Sequence, residues 1–118
     1  MSAHQYRVTL EYLGGNQAGP ELHKPIHFEI GNQDDLFQII GYVRDSGLLE
    51  KENDAAALAL GMKLFAEVAL ANRGDELFEE IADDFQQYIG KFRKRVKMAL
   101  EQQAKAQGKD VPWEPEID

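Results

Sequence analysis

The stretch that decides the fold of this chain spans residues 54–72 and reads DAAALALGMKLFAEVALAN. Its large apolar residues fall on nearly every side of a helix, and only Lys63 and Glu67 form a narrow polar strip. A helix that is apolar all round is typical of the interior of a domain. The alanines and Gly61 in the same stretch would let neighbouring elements approach closely. We therefore predict a buried helix at the centre of the fold.

Two segments upstream of this helix alternate apolar and polar residues. Tyr6 to Tyr12 and Ile26 to Ile30 both show the period of two that is typical of half-buried strands. A Gly- and Pro-rich connection from Gly14 to Pro25 separates them and predicts a hairpin with a long loop. Because a two-stranded ribbon is only marginally stable alone, we expect the hairpin to pack on helices.

Helical patterns flank the predicted buried helix on both sides. An apolar stripe over residues 36–43 predicts the first helix. Asn32 precedes the stripe and can cap the start of this helix, and Gly47 follows it where a glycine commonly ends a helix. Asp75 begins a third helix, whose apolar residues follow at steps of three and four: Phe78, Ile81, Phe85, Tyr88, Ile89, Phe92, Val96 and Leu100. This stripe is longer than the first helix can cover, so we expect the end with Val96 and Leu100 to extend beyond the core.

These patterns predict an α+β fold in which a β-hairpin of two strands is followed by three helices, in the order β-β-α-α-α, with the second helix central and buried. The length favours a single α+β domain over residues 1–107. Residues 108–118 contain two prolines and Trp113, and we expect them to form an extended or disordered tail.

The composition argues against several classes of protein. The chain has no cysteine, which excludes disulfides, thiolate metal sites and cysteine nucleophiles. No stretch reaches the roughly 18 apolar residues of a membrane span, and residues 1–6 do not begin a secretory signal. We therefore expect a cytoplasmic protein that does not bind membranes.

The polar residues do not form a recognisable catalytic or metal-binding pattern. His23 and His27 are four residues apart on or near a strand, about 13 Å, which is too far to hold one ion. The acidic residues between Glu76 and Asp84 are best explained as a solvated face near a helix start. The two serines and one threonine lack a partner pattern, and no phosphate-binding loop is present. We expect no catalytic residue, metal or cofactor, and hence a protein that is not an enzyme.

One run reverses the charge of an otherwise acidic chain. Residues 1–90 hold 6 basic and 16 acidic side chains, whereas five of the seven residues from Lys91 to Lys97 are basic. The run is Lys91, Phe92, Arg93, Lys94, Arg95, Val96 and Lys97. Basic residues late in a helix complement its dipole, which accounts for the run without a ligand. Weak anion or nucleic-acid binding through the run is the alternative, although nucleic-acid readers are usually more basic as a whole.

We predict a non-enzymatic protein-interaction or regulatory module, with an unidentified protein partner preferred to a nucleic acid. The candidate surface combines the basic run Lys91 to Lys97, including Phe92 and Val96, with Leu100 and Trp113. A homodimer is a further possibility, formed either through the hairpin edge or through the third helix.

Three segments also carry a resemblance to a known family. They are Tyr6 to Glu11, then Pro25 to Glu29 leading into Asn32 to Phe37, then Ala56 to Val68. In this order they resemble a small bacterial family catalogued as domain of unknown function 3861, over roughly residues 4 to 95. The resemblance implies a bacterial cytoplasmic protein, and it brings no assigned activity, cofactor or functional residue.

Overall fold

The computed structural model describes residues 3–108 of the chain. Two antiparallel strands, β1 (His4–Leu10) and β2 (Ile26–Asn32), precede four helices. The helices are α1 (Leu36–Ser46), α2 (Glu52–Ala71), α3 (Glu76–Glu79) and α4 (Ala82–Gln107). The predicted α+β class and the order of strands before helices are confirmed. The chain divides into two compact units, a hairpin unit that ends at Asp35 and a helical unit that begins at Leu36.

The hairpin unit has one apolar and one polar face. Val8 pairs with Phe28 and Leu10 with Ile26, whereas Arg7 pairs with Glu29 on the opposite face. The Arg7 guanidinium donates to the Glu29 carboxylate at 2.6 Å, with both side chains largely exposed. Alternation along both strands therefore produces the two-faced ribbon that the sequence predicted.

The loop between the strands contains a tight turn of its own. Gly15 and Ala18 exchange two backbone hydrogen bonds, at 2.9 and 2.7 Å, around Asn16 and Gln17. Both central residues have positive φ, 46° and 65°, as a two-residue hairpin turn of type I′ requires. The turn folds part of the Gly14 to Pro25 connection back on itself.

The core of the helical unit lies where α1, α2 and α4 meet. Its buried members are Val43, Ala55, Ala59, Val96 and Leu100. Alanine at both α2 positions leaves only a methyl group between the helix backbones, so the other helices can approach α2 closely. Ile39, Ile40 and Phe92 are partly buried against this cluster.

Polar contacts anchor the end of α1 on α4. The Gln103 amide of α4 donates to the carbonyl oxygens of Asp45, at 2.9 Å, and Ser46, at 3.3 Å. The Ser46 hydroxyl donates to the carbonyl of Val43 at 2.6 Å. These bonds satisfy carbonyls that the last turn of a helix leaves unpaired. They place the end of α1 beside Gln103 of α4.

Two details of the predicted helices are wrong. The second helix is not buried throughout, because on α2 only Ala55 and Ala59 are buried, while Val68 and Leu70 are 48% and 60% exposed. The predicted third helix is two helices, α3 and α4, separated by a turn at Glu80 and Ile81, where Ile81 has a φ of −109° and a ψ of −1°. The predicted N-cap is present, since the Asp75 carboxylate accepts from the Leu77 amide at 2.9 Å.

Candidate interaction surface

An apolar groove lies between the second half of α2, the short helix α3 and the first half of α4. It encloses a cavity of about 350 Å³. Most of its wall is made of apolar side chains and small residues, and two arginines and an acidic residue lie among them. The lining residues are Phe65, Ala66, Ala69, Leu70, Arg73, Gly74, Phe78, Glu79, Ile81, Ala82, Phe85, Gln86, Ile89, Gly90 and Arg93.

Phe65 links the walls of the groove. Its ring meets that of Phe85 edge-on, with centroids 4.4 Å apart, and lies 5.9 Å from the ring of Phe78. Such tilted and edge-to-face pairs are favourable contacts between aromatic rings. The groove therefore has a packed floor joining α2, α3 and α4.

The groove continues the helix faces that form the core. On α4, Ala82, Ile89 and Arg93 follow the same three- and four-residue steps as buried Val96 and Leu100. On α2, Ala66 and Ala69 likewise continue the face that begins with Ala55 and Ala59. The same two helix faces are thus covered by α1 in one half of the unit and uncovered in the other.

Large apolar side chains remain exposed around the groove. Leu70 is 60% exposed, Ile81 is 43% exposed and Tyr88 is 51% exposed. Tyr88 stacks on Phe92, with ring centroids 6.3 Å apart. A concentration of large apolar side chains on one surface is typical of interaction sites, whereas singly scattered ones are ordinary.

Charge is distributed unevenly along this part of the chain. Residues 76–84 carry five acidic side chains and no basic one, residues 85–90 carry no charge, and residues 91–97 carry five basic side chains and no acidic one. Asp83, Asp84, Lys91, Lys94 and Arg95 are all exposed. The uncharged segment lies at the centre of the groove wall, between an acidic end and a basic end.

The predicted surface residues occupy three different environments. Lys91, Lys94 and Arg95 are exposed on α4, whereas Phe92, Arg93 and Lys97 are partly buried, and Arg93 lines the groove. Trp113 lies outside the described residues.

The expectation that Val96 and Leu100 extend beyond the core is wrong. They are 0% and 4% exposed. Because α1 packs on the second half of α4 rather than on the first, these two residues are core members and are not available to a partner.

The structure adds no chemical site to this surface. Within residues 3–108, no group of three or more His, Asp or Glu side chains is placed to hold a metal ion. In the same range every buried side-chain nitrogen or oxygen has a hydrogen-bond partner. Over these residues, no helix combines the length and apolar character needed to cross a membrane.

Sequence reasoning did not find the groove itself, although its residues were visible in the apolar patterns. Phe78, Ile81, Phe85 and Ile89 belong to the predicted stripe of the third helix. The stripe was expected to be covered at its start and exposed at its end, and the structure shows the reverse. The signal that could have located the groove is the uncharged segment 85–90 between two oppositely charged segments.

The chain belongs to the family described as a domain of unknown function with a solved structure, number 3861, which matches residues 4–94. It is also similar to the crystal structure of a protein of unknown function from Pectobacterium atrosepticum. That likeness has a TM-score of 0.67 and 26% sequence identity, and it covers 78% of this chain and 98% of the other. A comparison with curated proteins found no match.

Proposed function

We propose that this protein is a non-enzymatic protein-interaction module that binds an amphipathic helix of a protein partner in the apolar groove. The observation that carries this proposal is the continuity of the groove with the site of α1. The amphipathic helix α1 already fills one half of the space beside α2 and α4, and the other half presents the same helix faces as an open groove. Binding of a helix by a hydrophobic groove is a common mode of recognition.

The charges around the groove define the partner further. A helix lying along α4 would meet acidic side chains at one end, apolar ones at the centre and basic ones at the other end. The complementary partner therefore has an apolar centre, with basic residues facing Glu79 to Asp84 and acidic residues facing Lys91 to Lys97. Such complementarity mainly sets orientation and specificity, while the apolar contact supplies most of the affinity.

Gly90 allows a specific test of this proposal. It lines the groove, and a Cβ atom added there would meet nothing within 4 Å. Gly90→Leu would place a side chain in the groove and also improve helix propensity, so it blocks binding without weakening the helix. Gly61→Leu is the matched control, because Gly61 is exposed on α2, does not line the groove and has equally open surroundings.

The experiment selects helical peptides of about four to five turns on the full chain by display and measures their affinity by calorimetry. We expect the selected peptides to be amphipathic, and Gly90→Leu to weaken their binding at least tenfold while Gly61→Leu leaves it unchanged. Peptides that bind the Gly90→Leu variant as tightly as the wild type would refute the groove as the binding site. A selection that returns no binding peptide would also count against the proposal.

A second candidate function is weak anion or nucleic-acid binding by the basic run. The exposure of Lys91, Lys94 and Arg95 favours it, whereas the net charge of −8 opposes the approach of a polyanion. Phosphate contacts give a log-log salt slope near −0.9 per contact on duplex DNA. Absence of binding to duplex and single-stranded DNA and RNA at low salt would eliminate this candidate.

We place the protein in the bacterial cytoplasm on the basis of its family resemblance and its lack of cysteine. A regulatory role follows if occupation of the groove is controlled by a partner. Both statements belong to the proposal, and localisation of a tagged full-length chain in cells tests the first.

A further inference from the structure

We infer that the helix bound in the groove is α4 of a second copy of this chain, lying antiparallel across a two-fold axis between Tyr88 and Ile89. This inference rests on the proposed function, because it names the partner of the same groove. The resulting contact would be isologous, so each copy uses the same residues. It joins α2 and α4 of both copies into a four-helix arrangement around the groove.

The charge pattern of α3 and α4 complements itself only when one copy is reversed. Five acidic side chains precede the uncharged segment 85–90 and five basic side chains follow it. In an antiparallel pair the acidic end of each copy faces the basic end of the other copy, so the dimer contains two such contacts. In a parallel pair the acidic ends would face each other and so would the basic ends, which is unfavourable. The pattern therefore favours an antiparallel contact centred on the uncharged segment.

The apolar residues agree with the same register. A two-fold axis between Tyr88 and Ile89 pairs residues whose numbers add up to 177. Phe85 is then level with Phe92 of the second copy along the helix axis, and Tyr88 is level with Ile89 of the second copy. Phe85 and Ile89 line the groove and are partly exposed. Phe92 is partly buried because it also packs against the core cluster.

The flanking charges also meet in this register. Asp83, Gly90 and Lys94 follow one another by seven and four residues, so they share one flank of α4. Gly90 lines the groove, which places this flank beside it. The two-fold axis brings Asp83 next to Lys94 of the second copy, and both side chains are exposed. Two such symmetric pairs form in each dimer.

Chain length argues against Trp113 of the same chain as the occupant. Trp113 follows Gly108 by five residues, which span at most about 17 Å. Gln86, at the centre of the groove wall, precedes Gly108 by 22 residues of mostly helical chain, roughly 33 Å. Trp113 therefore cannot reach the centre of its own groove.

The first arm of the test measures the mass of the full-length protein by sedimentation velocity, from micromolar to submillimolar concentration. We expect a reversible dimer for the wild type and for Gly61→Leu, and a monomer for Gly90→Leu over the same range. Circular dichroism confirms that both variants retain their helices. A dimer that persists unchanged in Gly90→Leu forms on another surface, such as the hairpin edge, and would overturn the inference.

The second arm reverses the flanking charges, with Asp83→Lys in one variant and Lys94→Glu in the other. Each change turns two attractive pairs into two repulsive ones, so we expect each variant alone to dimerise roughly tenfold more weakly. In an equal mixture, every flank of the mixed dimer again joins opposite charges, and wild-type affinity should return. If a substitution weakened the dimer only by destabilising its own chain, mixing the two variants would not restore the affinity. Failure of the mixture to recover would overturn the antiparallel register.

The two proposals fail in different ways. A wild-type chain that stays monomeric at every concentration would overturn the self-association, while peptides that bind the wild type but not Gly90→Leu would still support the groove as a binding site.

Discussion

The two halves of α4 carry the same apolar stripe and lie in different surroundings. Val96 and Leu100 in the second half are buried against α1 and α2, whereas Phe85 and Ile89 in the first half line an open groove. The difference does not come from α4 itself, because apolar residues recur at steps of three and four throughout. It comes from the neighbouring helix α1, because α1 has 11 residues and cannot cover all 26 residues of α4.

Helix length therefore decides which part of the stripe becomes core. At 1.5 Å per residue, α1 spans roughly 16 Å and α4 roughly 39 Å. The bonds from Gln103 to the end of α1 fix α1 at the second half of α4. The first half of α4 lines the groove together with α2 and α3, and a cavity of about 350 Å³ lies there.

Removing buried side chains from each half should give the largest contrast. We expect Leu100→Ala to lower the free energy of unfolding by about 2–5 kcal/mol, because it opens a cavity in a packed core. Ile89→Ala in the groove wall should cost about 1 kcal/mol, because Ile89 is only partly buried. Urea unfolding followed by the helical circular dichroism signal measures both values. Equal losses would mean that the two halves are packed equally well.

Enlarging an alanine of α2 tests the close approach of the helices. Ala55 is 0% exposed, so we expect Ala55→Leu to lower the free energy of unfolding by about 1–3 kcal/mol through overpacking. Ala57→Leu is the control, because Ala57 is exposed and the same change there should stay within about 0.5 kcal/mol. Thermal unfolding of the two variants provides the comparison. A stable Ala55→Leu variant would show that the core has spare room.

Replacing glycine by alanine should give the smallest effect, of opposite sign. Gly90 in the groove and Gly61 on α2 both have open space for a Cβ atom. We expect each Gly→Ala change to raise the free energy of unfolding by about 0.5–1 kcal/mol, because glycine is costly inside a helix. The urea concentration at the midpoint of unfolding, measured for each variant and for the wild type, checks this prediction. A destabilised Gly90→Ala variant would indicate that the groove is already filled at that position.

The local elements were largely predictable from the sequence. The alternation of apolar and polar residues predicted both strands. Gly47 marked a helix end because glycine readily adopts the left-handed conformation found there, and Asp75 marked a helix start because its carboxylate accepts from a free backbone amide. Gly47 has a φ of +72°, as expected for a residue that ends a helix. These signals act over a few residues, so a single sequence contains them.

The surface was harder to predict because it depends on contacts between distant residues. Nothing in the stripe from Phe78 to Leu100 says which end α1 will cover, since that choice depends on Gln103 and Val43, which are 60 positions apart in the chain. The interruption at Ile81 has no glycine or proline to mark it. The role of the basic run stays a prediction, whereas Val96 of the run and Leu100 beyond it are core residues.

The interruption at Ile81 has a mechanical consequence for the groove. Phe78 and Phe85 lie on opposite sides of the two-residue turn formed by Glu80 and Ile81, and both rings lie against Phe65. The Ile81 amide donates to the Phe78 carbonyl at 3.3 Å, and the Ile81 carbonyl accepts from the Phe85 amide at 2.8 Å. One backbone unit therefore links the two helices that carry these rings, so the two walls of the groove are coupled through Ile81.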